Sequence, residues 1–154
     1  MPKGKFLSDE RFKQLLEDAV MPTFDLVITH GDNGVLIVRR KIAPYQHKWA
    51  LPGLRQLKGE RFRETLARIA KQEAGLIINP EKARILEQYD GFFKTESGRQ
   101  DISTGYCIQV GGDQKIVINP NHFSGQRFIQ SYDQAPKSMG AMYKFFLKQY
   151  FGSS

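Results

Sequence analysis

The 154-residue sequence predicts an α/β fold. Two patterns carry that expectation. Short apolar or alternating runs that read as strands recur along the chain, and between and after them stand segments with helical periodicity. One of those segments, residues 62–74, follows a tight Pro52-Gly53 turn and ends at Gly75.

In order, Ser8 is placed to cap a first helix in which Phe12, Leu15, Leu16 and Ala19 share a face, with Pro22 ending it. Residues 24–29 and 35–40 read as strands joined through His30-Gly31-Asp32-Asn33-Gly34, a hairpin signal. Residues 43–48 form a loop, and 49–51 a short strand entering the glycine turn. In the helix that follows, Phe62, Leu66 and Ile69 recur at helical spacing, and Glu73 continues their stripe. Residues 83–89, 102–110, 115–118 and 126–129 are expected strands. Ser138 then caps a last helix bearing Met142, Phe145, Phe146 and Tyr150. Neither a repeat nor a linker divides the chain, so residues 1–154 are expected to make a single domain.

Composition admits a compact enzyme. No apolar run is long enough to span a bilayer, and no basic-plus-apolar leader precedes the first helix. The lone Cys107 has no internal disulfide partner, which points to a reducing, cytoplasmic setting. The net charge of +7 suits a polyanionic ligand such as a nucleoside diphosphate. The basic residues are spread without a dense tract, so nucleic acid is the less favoured partner.

Glu73 is the informative residue of the helical stripe. An acid on an apolar face, in the last turn where the helix dipole disfavours negative charge, needs a cation or hydrogen-bond donors. Residues 54–76 carry it in a longer pattern: Glu60, Arg68, Glu73, Gly75 and Leu76 fit the spacing G-x5-E-x7-R-E-U-x-E-E-x-G-U, with U a bulky aliphatic. The chain therefore resembles the Nudix hydrolases. Leu54, Ile69, Ala70 and Gln72 depart from the box. Positions 69, 72 and 73 share one helix face, so a single carboxylate remains where an ordinary box has three.

This pattern of losses resembles the GDP-mannose mannosyl hydrolase branch. The likeness extends upstream through Phe6-Leu7, Phe12, Asp25, Arg40, Pro44, Trp49, Pro52-Gly53 and Arg55. Downstream it continues through residues 101–106, Asn121-His122 and Arg127-Phe128. It implies a Nudix fold, a mixed β-sheet in an α/β/α sandwich. It also implies hydrolysis of a nucleotide sugar to a nucleoside diphosphate and a free, inverted sugar, by water attack at the anomeric carbon. Magnesium, or manganese, would be held by the Gly53 carbonyl, Glu73 and Asn121, with His122 as general base and Arg40 clamping the leaving diphosphate.

Arg39, Arg40, Arg55 and Asp25 are the expected substrate contacts. Alternation along a strand puts Arg39 and Arg40 on opposite faces, which leaves Arg39 the poorer candidate. Glu60 and Arg68 pair to brace the box helix behind the site. His30 and His47 read as surface residues. The resemblance further implies a homodimer, with Phe6, Leu7 and Phe12 at its interface. Two rivals stand beside this reading. One is attack at phosphorus, assisted by Glu73 and a later glutamate such as Glu87 or Glu96. The other is a Nudix fold that binds nucleotide or RNA without hydrolysing it.

Overall fold

The computed structural model describes Gly4 and residues 6–152. Helix α1 spans Asp9–Asp18, and Ser8 caps it as expected, its hydroxyl accepting from the Arg11 N–H at 3.4 Å. Strands β1 (Val20–His30) and β2 (Val35–Arg40) form the expected hairpin. The short strands β3 (Trp49–Ala50) and β4 (Gly53–Arg55) lead into α2 (Phe62–Ala74), and then come β5 (Arg84–Phe93), β6 (Arg99–Val110), β7 (Phe123–Ile129) and α3 (Ala141–Phe151).

The seven strands make one mixed sheet in the order β3-β2-β1-β6-β5, with β4 added to β1 and β7 to β2. Only β1 and β6 run parallel, in register from Val20↔Gln100 to His30↔Val110. Along its other edge β1 is shared: β2 pairs near Thr29, and β4 pairs over Thr23, Phe24 and Asp25. Between them the Leu26 N–H is satisfied by the Pro52 carbonyl at 2.8 Å. A strand whose partner changes along its length leaves a notch in the sheet, and the glycine turn enters there.

Helix α2 buries Leu66, Ile69, Ala70 and Ala74 with Glu73 among them, and α3 buries Met142, Tyr143, Phe146 and Leu147. Both join the core built on Leu26, Val27, Ile28, Leu36 and Ile37. The α/β Nudix architecture read from the sequence is therefore the one observed.

Four local expectations are corrected. Pro22 does not end the first helix, which stops at Asp18; it lies within β1. Its carbonyl accepts from the Gln56 N–H at 3.0 Å, which continues the β4 register by one pair, and only the reciprocal bond from residue 22 is forgone at that end. Residues 115–118 are not a strand. The N–H groups of Val117 and Asn119 instead donate to the Ala74 and Glu73 carbonyls at 2.9 and 3.0 Å, satisfying orphan groups at the α2 C-terminus. Ser138 does not cap α3; Gly140 holds the cap position. His30 is buried rather than exposed: Nε2 lies 2.6 Å from the Gln114 carbonyl, Nδ1 lies 3.0 Å from Asn33 Nδ2, and the ring stacks on Phe128. A carbonyl only accepts, so Nε2 carries the proton and Nδ1 accepts from Asn33. His47 is exposed, as expected.

Gly105 lies on β6 beside α3. A Cβ there would run into the Phe146 ring, which is fully buried. Gly105→Ala is therefore expected to lower stability by about 1–3 kcal/mol through overpacking. In a Phe146→Ala background the same change should cost nothing further, and denaturant midpoints of the four proteins check the pair.

Candidate active site

The glycine turn is held from below. Glu60 accepts from the Leu57 N–H at 2.8 Å, from the Thr65 hydroxyl at 3.1 Å, and from Arg68 Nε and Nη2 at 2.7 and 2.9 Å. The Arg68 Nη2 also donates to the Arg55 carbonyl at 2.7 Å, so the pair ties α2 to the end of β4. Burial works against the Glu60 charge, but the donors of Arg68, Leu57 and Thr65 outweigh it and hold its carboxyl below the usual value. The bracing pair expected from the sequence is present and largely shielded from solvent. Such a forked, partly buried pair fixes geometry as well as contributing energy. Glu64, three residues into α2, reaches back to the Arg61 N–H at 3.1 Å and closes the helix start.

Above this brace lies a cavity of about 350 Å³. Its floor is the sheet, with Thr23 and Asp25 from β1 and Arg99 and Asp101 from β6. One wall is Met142 and Tyr143 of α3, another the 42–44 turn. Gly53, Arg55, Arg40 and His122 also line it, and Phe6, Leu7 and Phe12 cover it from the N-terminal side. The Phe12 ring has the guanidinium carbons of Arg55 and Arg99 at 5.6 and 5.8 Å from its centroid, within cation–π reach. The apolar residues expected at a dimer interface thus face a cavity of their own chain.

Gly53 is required by this packing, because a Cβ would strike Asp25 Oδ1 and the Phe24 carbonyl. Asp25 itself is 3% exposed and accepts a hydrogen bond from the Ser103 hydroxyl. Burial pushes its carboxyl up to about 7, against the opposing effects of the Ser103 hydrogen bond and the Arg40 charge. Asp101 is raised for the same first reason, despite Arg99 Nε at 2.7 Å.

Arg40 is buried, with Nε donating to the Pro44 carbonyl at 2.6 Å and Nη2 to the Ala43 carbonyl at 3.1 Å. It organises the 42–44 turn from inside the cavity. Arg39 points away: it is exposed, and Nε donates to the His47 carbonyl at 3.2 Å.

His122 sits where the cavity meets α2. Its Nδ1 lies 2.7 and 3.0 Å from the two carboxylate oxygens of Glu73, whose side chain has no exposure at all. A carboxylate only accepts, so Nδ1 carries the hydrogen and a neutral ring keeps its acceptor lone pair on Nε2. Asn119 holds the turn in place. Its N–H donates to the Glu73 carbonyl, its own carbonyl accepts from the N–H groups of His122 and Phe123, and its side-chain oxygen accepts from the Asn121 N–H. Asn121 is exposed on that turn.

Of the residues expected from the sequence, the structure gathers Asp25, Arg40, Gly53, Arg55 and His122 around one cavity and sets Glu73 directly behind His122. It leaves Arg39 and Asn121 outside. Thr23, Arg99 and Asp101 were not among the candidate site residues, although Asp101 opens the 101–106 segment the sequence singled out and Arg99 stands two residues before it. Their signal is the parallel β1–β6 register, which a single strand pattern does not reveal.

A NUDIX domain model matches residues 20–149. The chain belongs to the Nudix family. A curated relative from Haloferax volcanii, the low-salt glycan biosynthesis protein Agl8, is 28% identical over 132 residues, covering 82% of each chain. Among solved structures, a MutT Nudix hydrolase from Burkholderia pseudomallei superposes with a TM-score of 0.73 at 19% identity, covering 86% of this chain and 98% of that one. The Nudix domain of Shewanella oneidensis NrtR, complexed with ADP ribose, gives 0.68 at 17% identity over 94% and 97% of the two chains. These structural likenesses establish the fold. Among the described residues no helix is long and apolar enough to cross a membrane.

Nudix hydrolases use divalent metals such as magnesium or manganese. In this chain the box helix presents Ile69 to the core and Gln72 beside Arg68, and both Glu73 oxygens face His122. Among the described residues no three His, Cys, Asp or Glu side chains converge as a metal group. Of the residues expected to hold the metal, Glu73 turns its carboxylate to His122 and Asn121 is exposed on its turn.

The raised Asp25 value has a consequence for stability. Between the ordinary carboxyl value of 3.8 and about 7, the folded protein keeps a proton that the unfolded chain has lost. This contribution is complete below the lower value and is lost as pH rises through the upper one. Unfolding free energy should thus fall by on the order of a few kcal/mol from about pH 5 to about pH 8. In Asp25→Asn that part of the fall should vanish, which denaturant titrations across the range would read.

Proposed function

We propose that this Nudix hydrolase acts on a nucleotide sugar, GDP-mannose in the first instance, and releases GDP and mannose by water attack at the anomeric carbon. The observation that carries the reading is the Glu73–His122 contact: it orients a ring whose second nitrogen can take a proton, at the wall of a cavity that also holds Arg40 and Arg55. The glycan-biosynthesis name of the Haloferax relative supports a sugar substrate.

In this reading His122 Nε2 accepts a proton from a water, and the water oxygen bonds to the anomeric carbon from the face opposite the diphosphate. The bond from that carbon to the diphosphate oxygen breaks, and its electron pair leaves with the nucleotide. Glu73 keeps the imidazole in one tautomer and favours the imidazolium that forms, the role a carboxylate plays behind a catalytic histidine. Arg55 offers positive charge to the departing diphosphate, and Arg40 does so while holding the 42–44 turn. Magnesium belongs to this reading as the counter-ion of the substrate's diphosphate, not as a resident of Gly53, Glu73 and Asn121.

The reading includes one Nudix domain, a cytoplasmic setting and a homodimer. The matched span covering most of the chain supports the first, and the free, buried Cys107 the second. Exposed apolar side chains at Phe6, Phe92 and Ile102 support the third. Attack at phosphorus is less well supported: Glu87 lies on the exposed edge strand and accepts from the Gln88 N–H, and Glu96 stands in the turn before β6.

Phosphorus and proton NMR of GDP-mannose incubated with the protein tests the proposal. GDP and free mannose are expected, and His122→Gln should lower kcat by about 10²–10⁴-fold, the usual worth of a general base. GMP with mannose 1-phosphate would place the attack at phosphorus. Binding without turnover, with or without magnesium, would make this a nucleotide-binding module.

A further inference from the structure

One hydroxyl in the cavity wall is left without a partner. Tyr143, on α3, is 3% exposed and lines the cavity, and its ring packs against Tyr45 with centroids 5.2 Å apart. No described residue hydrogen-bonds to its hydroxyl, and the Tyr45 oxygen instead accepts from the Met142 N–H at 3.4 Å. Among the described residues only the Thr23 hydroxyl is both unpaired and sealed off, so the Tyr143 oxygen, unpaired as well, stays open to the cavity. An unpaired buried hydroxyl is destabilising, and phenylalanine would fill the same space without one. Packing alone therefore gives no reason for a tyrosine here.

The surroundings select the group it serves. Burial pushes the Tyr143 phenol well above its usual value, so it keeps its hydrogen and offers it as a donor. Of the charges acting on that oxygen, Arg40 is the strongest. Arg40 spends Nε on the Pro44 carbonyl and Nη2 on the Ala43 carbonyl, which leaves Nη1 without a partner among the described residues. The acids nearby have donors of their own: Asp25 accepts from Ser103, and Asp101 from Arg99. Two unspent donors, one of them cationic, thus serve the same cavity. A group that only accepts and carries negative charge fits such a pair, and phosphate is that group.

We propose that the Tyr143 hydroxyl, beside Arg40, donates a hydrogen bond to the diphosphate of the substrate. Tyr143 thereby becomes a substrate-binding residue contributed by α3. In the hydrolysis described above, this bond strengthens as the departing nucleotide takes up the electron pair. The contact rests on the nucleotide-sugar reading for the rest of the ligand alone, because a free diphosphate offers Tyr143 the same oxygens.

Tyr143→Phe tests it, since it keeps the ring and removes only the oxygen. Without ligand the variant should be at least as stable as the parent in denaturant. By calorimetry its affinities for inorganic pyrophosphate, GDP and GDP-mannose should each fall about ten-fold, the worth of one hydrogen bond to a charged acceptor. Equal affinities of the two proteins for pyrophosphate and GDP would overturn the contact and leave the nucleotide-sugar function intact. A loss confined to GDP-mannose would also overturn it, by moving the hydroxyl to the sugar. So would a variant less stable than the parent, because the protein itself would then be using the hydroxyl. A parent whose pyrophosphate binding depends on Tyr143, but which neither binds nor cleaves GDP-mannose, would overturn the function and uphold the contact. A parent that binds neither pyrophosphate nor GDP would overturn both.

Discussion

Glu73 has no access to solvent, and a buried carboxylate has to find a donor close by. In this protein the donor is His122. That single contact joins the last turn of α2 to a turn nearly fifty residues later, and it determines what both elements are for. The helix delivers the acid through the Leu66 and Ile69 stripe, and the turn delivers the imidazole through Asn119, whose backbone grips the Glu73 carbonyl. The same stretch, through Val117, also covers the orphan carbonyl of Ala74. Residues 115–119 therefore do more for the site as a helix cap than they could as a further strand.

The rest of the architecture supports this contact from the sheet side. Because β1 passes from β2 to β4 along one edge, the glycine turn can enter the sheet beside Asp25, where any Cβ would collide. The Glu60–Arg68 pair then locks the end of β4 against α2. Helix α3 approaches the same face, its Phe146 ring occupying the space that Gly105 leaves open. The cavity is what remains between these constraints. Its floor carries Asp25, Asp101 and Arg99, and Arg40, Arg55 and His122 line it as well.

Much of this was legible in the sequence, and the reasons are physical. Leu66, Ile69 and Glu73 fix one buried helix face by geometry alone, although Phe62, expected in the same stripe, is exposed at the helix start; the eight-residue step from Glu60 to Arg68 matches the ion pair observed. The hairpin around residues 30–34 and the Ser8 cap follow from local turn and cap chemistry, which depends little on the rest of the fold. What escaped depends on contacts between distant segments. The alternation at residues 115–118 reads as a strand until the α2 C-terminus claims its N–H groups. His30 looks like a hairpin residue until Gln114 and Phe128 enclose it. Pro22 reads as a helix stop because local rules do not show that a strand begins at Val20. The helix pattern shows in Glu73 an acid in need of a cation or hydrogen-bond donors, without showing that His122 stands beside it.

The most direct test of the central contact is nitrogen NMR of the His122 imidazole in the ligand-free protein. The account requires a neutral ring with its hydrogen on Nδ1 and an unprotonated Nε2, a tautomer that Glu73→Ala should release. A ring protonated at Nε2 with a bare Nδ1 would contradict it, because His122 would then have no hydrogen to give Glu73 and no free nitrogen facing the substrate.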